Sequence, residues 1–89
     1  MKTDLEIRTS LHHFLTATFP ALQSSRLTDS TPLLEGGAVD SLGLLEIVTF
    51  LEQDFGLKLD DEDVVVENFE SIQSIESLVR RKLTSNVPA

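Results

Sequence analysis

The sequence has 89 residues, 40% hydrophobic and 25% charged, with a formal net charge of −8 and no cysteine. That length predicts one domain with a single small core, residues 1–89, and the composition is that of a globular chain rather than a disordered one. The lack of cysteine excludes disulfides, thiolate metal sites and a cysteine nucleophile, so any thiol chemistry here needs an added group.

The acidity is concentrated. Between Glu35 and Glu76 stand twelve acids and one base, Lys58, a net −11. Nucleic acid and anionic membrane are poor partners for such a surface, and basic patches on other proteins are good ones. Solubility alone is the bland explanation of the same charge. Met1-Lys2-Thr3-Asp4 carries no apolar core of a signal peptide. No apolar run approaches the ~20 residues that span a bilayer. The expectation is a cytoplasmic monomer.

Thr3 to Phe19 predicts the first helix. Thr3 and Glu6 have capping-box spacing, and Ile7, Leu11, Phe14, Leu15 and Thr18 fall on one face. Pro20 is expected to stop it. His12 and His13 are adjacent and point about 100° apart, so they do not form an i, i+4 metal pair. Ala21 to Val39 reads as a long connection rich in turn formers: Ser24, Ser25, Asp29, Ser30, Pro32, Gly36 and Gly37. Its leucines, Leu27, Leu33 and Leu34, imply that it is packed down over the core.

Ser41 to Phe55 predicts the second main helix. Asp40 is a preferred N-cap type and Gly56 a fitting C′ residue. With Leu42 at 0°, residues Leu44, Ile47, Val48, Leu51 and Phe55 cluster between about 140° and 240° as the core face. Leu42, Leu45 and Thr49 lie at about 0°, 300° and 340° on the other side. Glu46 and Gln53 flank them, and Glu52 lies near their other edge. A core does not need this outward stripe. It is either covered by the long connection or used for recognition beside Ser41. The Ser41 hydroxyl opens the helix at its positive end, where an attached anionic group is favoured.

Asp60 to Glu67 is expected to be an acidic turn or short helix, with Val64, Val65 and Val66 lowering helix propensity. An EF-hand loop from Asp60 fails, because Val64 and Val65 stand where an oxygen ligand and a glycine are required. A last helix is predicted from Ser71 to Leu83, with Ile72, Ile75, Leu78 and Val79 inward. Arg80, Arg81 and Lys82 are placed at its negative end, and Thr84 to Ala89 are expected to fray. The sum is an all-α bundle of three main helices, about 3–19, 41–55 and 71–83, with a short helix over 60–67 and a long first loop.

An enzyme is not expected. A Gly-x-Ser-x-Gly elbow would need glycine where Val39 stands, and no phosphate loop or metal-spaced His/Glu cluster appears. Asp40-Ser41-Leu42 alone is weak, since Asp and Ser are common caps. In context it follows a leucine-bearing connection and precedes an outward stripe, Glu-Gln-Asp-Phe-Gly, an acidic turn and Asn-Phe-Glu-Ser-Ile.

In that order these features resemble the acyl carrier protein family, with its peptidyl, aminoacyl and D-alanyl relatives. The resemblance is strongest from Leu33 to Leu83. It implies that Ser41, within Asp40-Ser41-Leu42, carries 4′-phosphopantetheine derived from coenzyme A. It implies further that the protein holds acyl groups as thioesters for fatty-acid or specialised (polyketide or aminoacyl) biosynthesis, as a stand-alone carrier. Leu42, Leu45, Glu46, Thr49 and Glu52 are then the partner-facing residues. The implied partners are a phosphopantetheinyl transferase and acyl-activating ligases or synthases with basic docking patches. One position departs: fatty-acid carriers often place an acid two residues after the serine, and this chain has Gly43. The segment Asn68–Ile72 looks closer to D-alanyl and other specialised carriers. The alternative from a different class is a small acidic interaction module in which Asp40-Ser41 is only a cap.

Overall fold

Thr3 and Glu6 close the capping box: Thr3 Oγ1 accepts from the Glu6 N–H and the Glu6 carboxylate accepts from the Thr3 N–H. Helix α1 then runs Asp4–Thr18. The computed structural model describes residues 3–23, 27–35 and 39–85, and no strand occurs among them. Phe19 leaves α1 in an extended conformation. Pro20 does more than stop the helix. Its fixed φ also suits a first helical position, and it opens a short helix, α2, Pro20–Gln23. The first connection is therefore partly helical.

Helix α3 spans Ser41–Phe55 and ends at Gly56, whose φ of 65° is the left-handed conformation expected at a helix end. The acidic segment forms two separate 3₁₀ turns, Asp61–Asp63 and Val66–Asn68, where the sequence suggests one short helix over 60–67. Val65 between them is extended, as the run of β-branched residues favours. Helix α4 runs Ile72–Ser85. It opens with Ser71 Oγ accepting from the Ser74 N–H. Thr84 and Ser85 continue the helix rather than fraying; the rest of that expected frayed end, 86–89, lies outside the described residues, as do Ser24, Ser25, Gly36 and Gly37.

The core is built from three helix faces. Ile7, Leu11 and Leu15 of α1 meet Ile47, Leu51 and Phe55 of α3 and Ile72, Ile75, Leu78 and Val79 of α4. Phe69, fully buried, plugs the space before α4. The first connection is packed down as its leucines imply: Leu27 and Leu33 are buried and Leu34 half-buried. Backbone bonds pin it as well. The Leu33 N–H donates to the Glu70 carbonyl and the Gln73 N–H to the Asp29 carbonyl. Arg8 pairs with Asp29 and with Glu76, so α1, the connection and α4 share one guanidinium; its Nε faces Glu76 without hydrogen-bond alignment.

The cations of α4 reach across the bundle instead of serving its terminal carbonyls. Arg80 pairs with Asp4, Arg81 donates to the Asn68 side chain, and Lys82 Nζ lies 2.9 Å from Asp63 and 3.5 Å from Asp60. Asp63 also accepts from the Asp60 N–H at 2.8 Å. That bond first, and Lys82 second, hold the Asp63 carboxyl below its ordinary 3.8, while Asp63 raises Lys82. A lowered carboxyl stabilises the fold above its unfolded value and loses that contribution as pH falls through the folded one. Asp63→Asn should lower the melting temperature by about 2–5 °C at neutral pH, the scale of a partly exposed ion pair in a domain this size. The difference should close as pH falls below about 3.8. A constant difference down to acid pH would show that Asp63 acts by shape rather than charge.

Candidate functional site

Asp40 and Ser41 sit where the sequence puts them. Asp40 is extended and N-caps α3: its Oδ1 accepts from the Gly43 N–H at 2.8 Å. Ser41 is the first residue of the helix and is exposed. The turn is held from behind by Gly43, which is buried. A Cβ built on it would lie 2.6 Å from Phe19 Cε1 and 3.2 Å from Val39 Cγ1. The end of α1 thus seats directly on the first turn of α3, and Ser41 is presented from a fixed base. Gly43 looks like a missing surface acid in the sequence, but it faces the interior, where an acid has no room.

The outward stripe is not covered. Leu42 is 72% exposed and Leu45 58%. Thr49 and Glu46 are exposed beside them, and the Thr49 hydroxyl donates to the Leu45 carbonyl. Of the two explanations for the stripe, coverage by the connection fails. Glu52 separates from the group: it is half-buried, and its Oε2 accepts from the Leu59 N–H, which ties the following loop back to α3.

The inward face is also rotated from expectation. Gly43, Ile47, Leu51 and Phe55 are the buried residues of α3, while Leu44 and Val48 are only half-buried. The burial arc is centred nearer Ile47, because α1 reaches over that side. This brings in Phe50, which stacks on Phe14 of α1 with ring centroids 4.1 Å apart and planes within 10°.

Between α1 and α3 the stripe becomes one wall of an open groove of about 650 Å³. Helix α1 contributes Phe14 and Thr18; α3 contributes Leu42, Leu45, Glu46, Thr49, Phe50 and Gln53. Sequence reasoning placed Phe14 and Thr18 on the core face of α1 and gave Phe50 no role. The available signal was angular: Phe50 falls at about 80°, between the outward stripe and the core arc. Whether α1 left that sector open could not be read from one helix.

The arrangement has no catalytic set. The exposed hydroxyl has a carboxylate and a leucine as chain neighbours, and nothing described couples it to a base. What it suits is acting as an acceptor. The hydroxyl is unobstructed, its helix start is rigid, and an ester phosphate there would lie at the positive end of α3. The residues present therefore fit a phosphate-linked group.

Comparison with known proteins gives the chain a family. Residues 15–81 match the family model described as a phosphopantetheine attachment site. An acyl carrier protein of Thermotoga maritima is 32% identical over 62 residues, covering 70% of this chain and 74% of that protein. The probable acyl carrier protein PigG of a Serratia species is 34% identical over 55 residues, 62% of this chain and 63% of its own length. An acyl carrier protein of Buchnera aphidicola is 30% identical over 60 residues, covering 67% and 74%. The chain belongs to the acyl carrier protein family, non-enzymatic carriers whose prosthetic group is 4′-phosphopantetheine.

Proposed function

We propose that Ser41 is the attachment point and that the protein carries acyl groups between enzymes of a biosynthetic pathway, fatty-acid or specialised. The observation that carries this reading is an exposed serine at the first position of α3, capped by Asp40 and followed by an uncovered apolar stripe. When attached, 4′-phosphopantetheine supplies the thiol that this cysteine-free chain lacks. Ser41 Oγ accepts the phosphoryl group from coenzyme A as the bond to the 3′,5′-ADP portion breaks, and the hydroxyl proton leaves to the transferase. Asp40 keeps the first turn intact during this exchange. Leu42, Leu45 and Thr49 give a partner a small apolar contact, and Glu46 gives it a charge.

Contacts of that kind suit a shuttle. The acidic surface steers basic patches of a transferase, ligase or synthase, and rim charges set encounter rate more than residence time. No described helix is long and apolar enough to cross a membrane. The direct test is intact mass after incubation with coenzyme A and a broad-specificity phosphopantetheinyl transferase. One addition supports the proposal. No addition with several transferases would leave the acidic interaction module as the better account.

Glu46→Lys inverts a charge at the edge of the stripe without touching the core. It should slow loading roughly three- to tenfold at low salt and less at high salt, with the melting temperature unchanged. Equal losses in loading and in thermal stability would remove Glu46 from the docking surface.

A further inference from the structure

The groove between α1 and α3 begins at Leu42, the residue directly after Ser41. We propose that it seats the acyl group carried at Ser41 and that it favours a short, uncharged aromatic acyl group over an extended alkyl chain. This rests on Ser41 being the attachment point.

Tethering provides the first support. A group linked to Ser41 samples the adjacent groove at an effective concentration on the order of millimolar, so a weak site is enough to hold it. A free molecule or a partner side chain has no such advantage.

The chemistry of the walls provides the second. Phe14 and Phe50 lie face to face, and each is backed edge-on by a second ring. Phe19 stands behind Phe14 at 6.2 Å and 87°, and Phe55 behind Phe50 at 5.9 Å and 83°. Four rings on one seam make a stiff aromatic wall, and Phe14 and Phe50 are its half-exposed members. Stacked and edge-to-face contacts are the preferred geometries of aromatic groups, so a flat ring extends this array where a flexible chain gains only apolar contact. Leu42 and Leu45 add apolar lining from the same helix as Phe50. Glu46 at the rim disfavours cargo that carries its own carboxylate.

Size provides the third. A volume of about 650 Å³ is in the range of small-molecule sites, but the groove is open to solvent. The helical interior offers no comparable room: Leu33, Ile47, Leu51, Phe69, Ile72 and Ile75 are all fully buried against one another. A long alkyl chain on this surface would leave much of its length in water.

The test uses isotope-labelled protein brought to complete addition in three forms: bearing the arm alone, the arm with an amide-linked benzoyl group, and the arm with an amide-linked octanoyl group. Intact mass and peptide mapping first establish one addition at Ser41. The expected result is a set of nuclear Overhauser contacts from the benzoyl ring to the Phe14 and Phe50 rings and the Leu45 methyls. The octanoyl chain should give fewer contacts. Thr18→Lys places a cation in the groove from the last residue of α1, a position that tolerates one. This variant should accept the benzoyl arm yet lose the contacts. Failure of addition at Ser41 would remove both the attachment reading and this proposal. Complete addition with a benzoyl ring that touches nothing, or touches the α4 side instead, would overturn the groove and leave the carrier reading intact. Equal contacts from octanoyl would overturn the aromatic preference.

Discussion

Ser41→Ala will abolish phosphopantetheine addition while leaving the fold as stable as before. The hydroxyl is the only chemical group removed, and the structure gives it no described role in holding α3. The cap is Asp40, whose carboxylate takes the Gly43 N–H. Ser41 is exposed, and exposed substitutions away from special features shift stability by about 0.5 kcal/mol or less. Intact mass should therefore show full addition for the parent and none for the variant. Melting temperatures should agree within roughly 2–4 °C, the equivalent of that energy in a small domain. Addition that persists in Ser41→Ala would move the attachment to another serine. A variant that neither loads nor folds would mean that the hydroxyl is structural.

Gly43→Asp will strongly destabilise the start of α3. The substitution would install the acid that many fatty-acid carriers hold two residues after the serine. Here its Cβ would stand 2.6 Å from Phe19 Cε1, so the buried Phe19 ring or the helix start must move. Overpacking of a filled site costs about 1–3 kcal/mol. Forcing a carboxylate against Phe19 and Val39 without a partner adds a burial cost above the roughly 1–3 kcal/mol of an uncharged polar group. The expected drop in melting temperature is about 10 °C or more. Gly43→Ala separates the parts: it has the same first clash, no charge, and a helix-propensity gain of about 1 kcal/mol that offsets part of the clash. It should fall between the parent and Gly43→Asp. If Gly43→Asp melts with the parent, Phe19 does not seat on α3 as described, and Gly43 again becomes a surface position whose missing charge selects partners.

Much of the bundle was legible because it depends on local rules. Thr3 with Glu6, Asp40 and Gly56 marked helix ends through hydrogen bonds and a left-handed backbone that need only a few neighbouring residues. The apolar stripes of α1 and α4 repeated every three or four positions, and Ile7, Leu11 and Leu15 with Ile72, Ile75, Leu78 and Val79 face inward as that period requires. The leucines of the first connection announced that it would be packed down, since exposed flexible chain has no use for them. The same locality made Asp40-Ser41-Leu42 recognisable as a capped helix start, since the cap needs only Asp40 and the Gly43 N–H.

What stayed hidden depends on which helix lies over which. Pro20 reads as a stop in a one-dimensional scan, yet its φ equally starts α2, and the turn at Phe19 sets which outcome holds. Asp60 to Glu67 reads as an acidic turn or one short helix, but extended Val65 divides it into two turns that Lys82 and Arg81 tie to α4. Periodicity sorts the residues of α3 around a circle without saying what occupies each sector. The approach of α1 buries Gly43, leaves Leu44 and Val48 half-buried, and pairs Phe50 with Phe14. The same approach stops short of Leu42 and Leu45, and the groove beside Ser41 is the space it leaves. Caps and stripes are short-range properties of the chain. A groove is a distance between two helices, and many residues far apart in sequence jointly set it.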